Sequence, residues 1–198
     1  MVAFCLTVMV VENGSLRGAK RVYATDTRTG VYQTSYTANG KTTTEWCYLK
    51  NGKVQYSYTG FASNSNGWWY CKSGKVDFAK KDVMQGTVDG KNGWWFVSDG
   101  KVKFIDSVEQ NSNGWWFVKN GMVDFGFEGI AKNSYGWWYI KKGKAVFDYN
   151  GYIKLKSGGT VTVKSGKITA NDGNGNIKSL ISSSNYIHSR KDHCFHGG

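Results

Sequence analysis

The sequence predicts an all-β protein in which tandem β-hairpins stack into an elongated β-solenoid. Three observations predict this class. The chain has 26 Gly and no Pro, it carries 9 Trp, 12 Tyr and 10 Phe, and a segment of about twelve residues recurs along it. Charged residues make up only 20% of the 198 residues, and so much aromatic surface is not typical of disordered or collagen-like chains. The chain is therefore expected to fold.

The recurring segment joins an aromatic strand to a glycine turn. Its copies are TEWCYLKNGKVQY (44–56), GWWYCKSGKVDF (67–78), GWWFVSDGKVKF (93–104), GWWFVKNGMVDF (114–125), GWWYIKKGKAVF (136–147) and a degraded TVTVKSGKIT (160–169). The turn glycines lie 22, 26, 21, 22 and 23 residues apart, at Gly52, Gly74, Gly100, Gly121, Gly143 and Gly166. A nearly fixed period of this length indicates stacked supersecondary units.

Each copy predicts a two-stranded hairpin. Pairs such as Asn51-Gly52 and Asp99-Gly100 tolerate positive φ in a two-residue turn, and Trp, Tyr, Phe and Val favour the flanking strands. A lone hairpin is marginally stable in water, so the units must stack. The polar connectors between hairpins include NSNG (64–67 and 111–114) and KNSYG (132–136), and a connector is usually expected to fix one apolar residue in the core: Phe61, Val88, Val108 or Ile130.

The repeats divide the chain into four predicted segments. Residues 1–43 form a β-rich cap or a truncated segment, and residues 44–152 carry the hairpin repeats. Residues 153–177 form a degenerate capping repeat, and residues 178–198 form a flexible tail. The apolar stretch 2–11 is too short to cross a bilayer and is interpreted as a strand or as the remnant of an export signal.

The alternation of side chains along a strand assigns the residues to two faces. One face is apolar in every copy and predicts the shared core, as in Trp69, Cys71, Val76 and Phe78, and then in Trp95, Val97, Val102 and Phe104, and in Trp116, Val118, Val123 and Phe125. The other face mixes aromatic residues with lysines. Cys47 and Cys71 are expected on opposite faces, and no disulfide framework is expected from them with Cys5 and Cys194.

The mixed face predicts aromatic platforms for a ligand. Flat rings stack on the C–H faces of sugars and attract quaternary ammonium groups, at about 0.5–2 kcal/mol for a cation–π contact. A polymer could occupy several weak sites at once and gain avidity. The alternative, that both Trp of a pair only pack, stays open. The candidate ligand-binding residues are Trp46, Tyr48, Trp68, Tyr70, Trp94, Phe96, Trp115, Phe117, Trp137 and Tyr139.

GWWYCKSGKVDF and YTGF (58–61) resemble the cell-wall-binding repeats of Gram-positive surface proteins, of the choline-binding and glucan-binding type. The nearest likeness is to a GWWYVKNGKVDF variant of secreted clostridial proteins. The resemblance covers 44 to about 152 and implies aromatic cages for choline, each completed by a Trp in the TG-aromatic step. Phe61, Ile130 or Tyr152 stands there in this chain, so attachment to wall polymers or glycans is expected ahead of choline binding.

The residues do not predict an enzyme. His188, His193 and His196 all lie after the repeats, and the glutamates do not recur at one repeat position, which leaves no triad and no carboxylate pair. His193, Cys194 and His196 are interpreted as a tail and not as a metal site, and DGNGN (172–176) as a turn and not as a calcium loop. No catalytic residue, metal or cofactor is predicted.

The net charge of the chain favours some classes of binding partner over others. A net charge of +12 favours polyanions, but the basic residues are spread at repeat spacing, which makes nucleic acid an unlikely partner. The sequence therefore predicts a secreted or cell-surface module that binds teichoic acid, peptidoglycan or glucan and has no membrane span. The alternative is an adhesin-like repeat protein that contacts a host or partner protein.

Overall fold

The computed structural model describes residues 5–8, 11–12, 15–16, 20–23, 26–154 and 160–170. These residues form antiparallel strands and turns and contain no helix, which confirms the all-β class and the hairpins. The elongated solenoid stays a prediction. The chain divides into two compact units, the first with residues 1–59 and 71–76 and the second with residues 60–70 and 77–198.

The strands are short and follow one another closely. In chain order they are β1 (Cys5–Val8), β2 (Val11–Glu12), β3 (Ser15–Leu16), β4 (Lys20–Tyr23), β5 (Gly30–Ala38), β6 (Lys41–Lys50), β7 (Lys53–Val54), β8 (Gly60–Asn64), β9 (Gly67–Lys72), β10 (Lys75–Val76), β11 (Asp82–Val88), β12 (Lys91–Ser98), β13 (Lys101–Val102), β14 (Ser107–Asn111), β15 (Gly114–Lys119), β16 (Met122–Val123), β17 (Gly129–Asn133), β18 (Gly136–Lys141), β19 (Lys144–Ala145), β20 (Gly151–Lys154), β21 (Thr160–Lys164) and β22 (Lys167–Ala170).

The first unit is organised around the long hairpin β5–β6. Its register runs from Gly30 opposite Leu49 to Ala38 opposite Lys41. Strand β7 pairs with the end of β6, and β10 pairs with β6 at the position of Cys47. Strands β1 and β4 pair with each other, as do β2 and β3.

Two cysteines lie together in the core of the first unit. Cys47 and Cys71 are both buried and not disulfide-bonded. Burial, and then the nearby Cys47 thiol, raise the pKa of Cys71 to about 12. The prediction that the two side chains point to opposite faces was therefore wrong. β10 pairs with the strands of both cysteines and brings them into the same interior.

The second unit repeats a group of three strands, and not the two-stranded unit that the sequence predicted. A connector strand pairs with the aromatic strand, and the last residues of the aromatic strand pair with a short strand after the glycine turn. The connectors contribute a full strand each, so they are part of the sheet and not loops. The complete groups are β11–β12–β13, β14–β15–β16, β17–β18–β19 and β20–β21–β22.

The turn glycine of each group is hydrogen-bonded on both sides to the preceding repeat. The Gly100 amide donates to the Lys80 carbonyl at 3.0 Å, and the Gly100 carbonyl accepts from the Tyr70 amide at 2.8 Å. Gly121, Gly143 and Gly166 form the same two bonds. Gly100 has φ of +70°, and a Cβ there would lie 2.5 Å from the Asp77 carbonyl oxygen. Glycine is therefore required both for the backbone conformation and for the close approach.

The predicted core residues of the connectors are confirmed, because Phe61, Val88, Val108 and Ile130 are all buried. The assignment of whole faces was wrong in two respects. Phe96 and Phe117, expected on the outer face, are only 4% and 2% exposed, because connector residues such as Val83 and Val108 pack over them.

The phenylalanines expected in the core are about half exposed. They are Phe78, Phe104 and Phe125, and Phe147 of the next copy is exposed to a similar extent. Each short strand ends after two residues, as β13 does at Val102, and the chain then turns. Side-chain alternation therefore no longer fixes the direction of the residue two positions later.

We predict that Gly100→Ala lowers the free energy of unfolding by about 2–4 kcal/mol. A side chain in the left-handed region costs about 1 kcal/mol, and the clash with the Asp77 carbonyl adds about 1–3 kcal/mol. Gly90→Ala is the matched control, because Asp89-Gly90 is also an Asp-Gly turn, with φ of +72° and nothing within 4 Å of the added Cβ. The control should lose only about 1 kcal/mol in urea unfolding, and equal losses in both variants would contradict the steric role of the turn glycine.

We also predict that Cys47 and Cys71 resist alkylation at pH 8 in the folded protein. With a pKa of about 12, only about one Cys71 thiol in ten thousand is ionised at that pH, against about a quarter in the unfolded chain. The measurement is iodoacetamide labelling of a C5S/C194S variant followed by mass spectrometry. Rapid labelling before unfolding would contradict the buried position.

Candidate functional site

An asparagine holds the second Trp of most Trp-Trp pairs in a fixed orientation. The Asn111 Oδ1 accepts from the Trp116 indole Nε1 at 3.0 Å and from the Asn113 amide at 2.9 Å. The Asn111 Nδ2 donates to the Val83 carbonyl at 2.9 Å, so the amide also joins the preceding repeat. Asn64 and Asn133 bind the indoles of Trp69 and Trp138 in the same way.

A lysine from the following repeat lies over each of these indoles. The Lys144 Nζ is 5.2 Å from the centre of the Trp116 ring, within reach of a cation–π contact. Lys101 covers Trp69 and Lys167 covers Trp138 in the same way. A Cβ on Gly114 would lie 2.6 Å from the Lys144 Cε, so the glycine of the GWW motif leaves room for the lysine at these three junctions. The sequence analysis missed this role of that glycine.

The junction at Trp95 differs from the others. Met122 takes the place of the lysine opposite Trp95, and Gly86 takes the place of the asparagine. Trp95 is buried, and its Nε1 has no hydrogen-bond partner within the described part of the chain. A Cβ at Gly86 would lie 2.5 Å from the Phe61 ring, which leaves no space for an asparagine.

The structure does not bring the ten predicted ligand-binding residues together. Trp46 and Tyr48 belong to the first unit, where the Tyr48 ring lies 4.4 Å from the Tyr58 ring. Phe96 and Phe117 are buried, and the rest are partly buried against the core of the second unit. These partly buried residues are Trp68, Tyr70, Trp94, Trp115, Trp137 and Tyr139.

A groove of about 550 Å³ opens beside one of these residues, Trp115. Phe96 and Val108 form its apolar floor, and Trp115 and Tyr135 supply exposed ring surface. Polar side chains complete the lining, namely Lys81, Asp82, Glu109, Gln110, Asn111, Ser112, Asn133 and Ser134. Aromatic surface surrounded by polar groups is typical of small-molecule and glycan sites.

Tyr135 is the residue that distinguishes this groove. It stands where Asn66 and Asn113 stand in the other NSNG connectors, and it is 69% exposed. Its ring centre lies 5.7 Å from that of Trp115, with the planes at 47°. The sequence analysis quoted KNSYG only as a connector. The change from Asn to Tyr in an otherwise repeated motif was the signal that could have identified the site.

Few of the polar groups of the groove are available to a ligand. The amides of Asn111 and Asn133 already bond to backbone and indole groups, and Asp82 forms a 2.7 Å ion pair with Lys80. Within the described residues, Glu109 forms neither an ion pair nor a side-chain hydrogen bond. The groups that can face a ligand are therefore Lys81, Glu109, Gln110 and the serines at 112 and 134.

The described residues contain no group of three His, Cys, Asp or Glu that could hold a metal ion. None of their elements is a helix long and apolar enough to span a membrane. His188, His193, Cys194, His196 and the string 172–176 lie outside the described residues, so their predicted status as tail and turn stays a prediction.

Four segments match the family described as the choline-binding repeat, at residues 57–77, 84–103, 108–124 and 126–145. Four segments within residues 57–145 are therefore similar to choline-binding repeats. Each matched segment spans the connector, the aromatic strand and the short strand of one repeat, so the resemblance seen in the sequence is confirmed. The family is one of binding modules, generally noncatalytic and typical of cell-wall-associated proteins. No curated protein matches the chain.

We predict that Asn111→Ala lowers the free energy of unfolding by about 2–3 kcal/mol. The change leaves the Trp116 indole and the Val83 carbonyl without their partners, and a buried polar group without a partner costs about 1–3 kcal/mol. Gln110→Ala, at an exposed neighbouring position, should change the stability by about 0.5 kcal/mol or less. Similar urea midpoints for the two variants would contradict the anchoring role of the amide.

Proposed function

We propose that the protein is a noncatalytic, secreted or cell-surface module that attaches to bacterial cell-wall polymers or related glycans. The groove between Trp115 and Tyr135 is the observation that carries the proposal. Four choline-binding repeats support the general class, since that family consists of binding modules. The groove supplies a specific site for the attachment.

The chemistry of the groove suits a polymer with sugar or polyol units. The Tyr135 and Trp115 rings offer flat apolar surface to C–H groups, and the Gln110, Ser112 and Ser134 side chains can bond to hydroxyls. The two rings contact each other at an inclination of 47°, so a ligand packs against their joint surface and not between them. Such a site is weak alone, and repetition along a polymer adds avidity.

A choline group carried by the polymer fits this groove better than it fits the repeat junctions. A quaternary ammonium needs aromatic faces and gains from a nearby carboxylate, and the groove has Trp115, Tyr135 and Glu109. At the junctions, lysines already lie over the faces of Trp69, Trp116 and Trp138. The proposed ligand-binding role therefore centres on Trp115 among the predicted aromatic residues.

The second candidate function is an adhesin-like contact with a host or partner protein. The row of half-exposed rings at Phe78, Phe104, Phe125 and Phe147 favours it, because exposed aromatic residues are enriched at protein interfaces. The two functions use different residues. Changing Phe104 and Phe125 to Ser should leave glycan attachment intact if the groove is the binding site.

We predict that Tyr135→Ala weakens retention on the cell-wall ligand by about tenfold without changing the thermal midpoint. The Ala variant keeps the amide that bonds to the Asn133 Oδ1 and loses only the ring. Tyr152→Ala is the matched control, because Tyr152 is 72% exposed and does not line the groove. Retention is measured by co-sedimentation with peptidoglycan, teichoic acid and α-glucan, and choline competition is measured in parallel.

The outcomes separate the possible roles. Loss of retention with Tyr135→Ala and not with Tyr152→Ala supports the groove. No retention of the unchanged protein on any of the three polymers would refute the proposed function. Retention that choline abolishes identifies a choline-bearing polymer, and retention that choline leaves unchanged identifies the glycan itself.

A further inference from the structure

We propose that the fifth hairpin turn, Lys141–Lys144, is a phosphate-binding subsite that recognises phosphodiester groups of the polymer held in the groove. The proposal rests on the proposed function and deepens it by naming the ligand as a phosphorylated wall polymer.

The turn concentrates positive charge that the chain itself does not neutralise. Lys141 lies directly opposite Lys144 in the β18–β19 pair, as two lysines also do in three other hairpins of the described residues, and like charges at that position destabilise a hairpin. Lys142 occupies the turn between them. Within the described part of the chain none of the three lysines forms an ion pair, although Asp148 lines the same surface depression of about 570 Å³.

The backbone of this turn adds a second unfavourable feature. Lys142 has φ of +50°, in the left-handed region. The corresponding residues of the other glycine turns are Asn51, Ser73, Asp99, Asn120 and Ser165, with comparable positive φ. Asn and Asp adopt this conformation more readily than lysine does. The fifth turn thus carries a lysine where a small polar residue is favoured, and a bound anion would offset the added repulsion.

The depression adjoins the aromatic groove through shared rings. Phe147 lines the depression, and its ring centre lies 5.6 Å from that of Trp115, which lines the groove. Trp138 contacts both rings, at 4.9 Å from Trp115 and 5.5 Å from Phe147. One aromatic cluster therefore separates Lys141 and Lys142 from the sugar or choline site. In a polymer of alternating polyol and phosphate units, a polyol can lie in the groove while a neighbouring phosphate reaches the lysine turn.

A wall polymer fits this arrangement better than a nucleic acid. A nucleic-acid strand carries a phosphate at every nucleotide and requires basic residues along the whole track. The groove instead contains Glu109 beside Trp115, and a carboxylate there repels a continuous phosphate backbone. Apart from Lys81 in the groove, the lysines of the arrangement lie at one end of it, which suits a polymer with neutral or cationic groups between its phosphates.

The test uses the full chain and sodium pyrophosphate as the probe, titrated at low salt and followed by amide NMR shifts and calorimetry. We expect shifts at residues 141–148 and about tenfold weaker binding in K141S/K142N.

A second measurement uses Lys142→Asn alone, which restores the favoured turn residue. This variant should unfold at a higher urea concentration than the unchanged protein when pyrophosphate is absent. The difference between the two urea midpoints should be smaller when pyrophosphate is present, because pyrophosphate stabilises the unchanged protein more. Lys91→Asn, at an exposed lysine beside the Asp89-Gly90 turn, is the control for loss of one charge.

Each outcome decides one of the two proposals. Shifts spread over the chain, or equal weakening in K91N, would overturn the phosphate subsite. Tighter binding of a single-stranded oligonucleotide than of teichoic acid, lost in K141S/K142N, would also overturn it in favour of nucleic acid. Retention on α-glucan, which carries no phosphate, should survive in K141S/K142N. Weaker pyrophosphate binding in K141S/K142N, together with no retention of the unchanged protein on peptidoglycan, teichoic acid or α-glucan, would count against the proposed function alone.

Discussion

The glycine that ends each hairpin turn is the constraint on which the rest of the structure depends. Its amide and carbonyl both bond to the preceding repeat, and the residue that follows it pairs with the aromatic strand of that repeat, so the main-chain connection between two groups of strands begins at the glycine. The connection requires the left-handed backbone and the absence of a Cβ. The sequence period of about 22 residues follows from the need to return such a glycine to the same position against each preceding repeat.

The main-chain connection also fixes the aromatic side chains. The short strand of one repeat lies beside the aromatic strand of the preceding repeat. The first residue of the short strand therefore reaches the face of the second Trp in that aromatic strand. Lys144 over Trp116 is one example, and Gly114 provides the space for it. The indoles at the junctions therefore serve packing and cation–π contact within the chain. A ligand site has to form where the repeats leave rings uncovered, as the connector at Tyr135 does.

The sequence predicted the hairpins, their turns and the buried connector residues, because these depend on local chemistry such as Asp-Gly turns and Val in strands. It did not predict the third strand of each repeat, since the connectors are polar and short. The face assignment of Phe96 and Phe104 failed for a related reason. Side-chain alternation holds only within a strand, and it ignores what other strands pack above it. Tyr135 was missed because attention to a repeat favours the residues that recur.

The Trp95 junction indicates where function can reside in such an array. It has lost the lysine, the asparagine and the indole hydrogen bond, yet Gly121 still forms both of its bonds to the preceding repeat. The main-chain connection therefore tolerates wide change in the side chains around it. Residues that depart from the repeat, such as Tyr135 in a connector and Lys142 in a turn, are not needed for stacking. Their chemistry is free to serve an external ligand, and both lie around the same aromatic cluster.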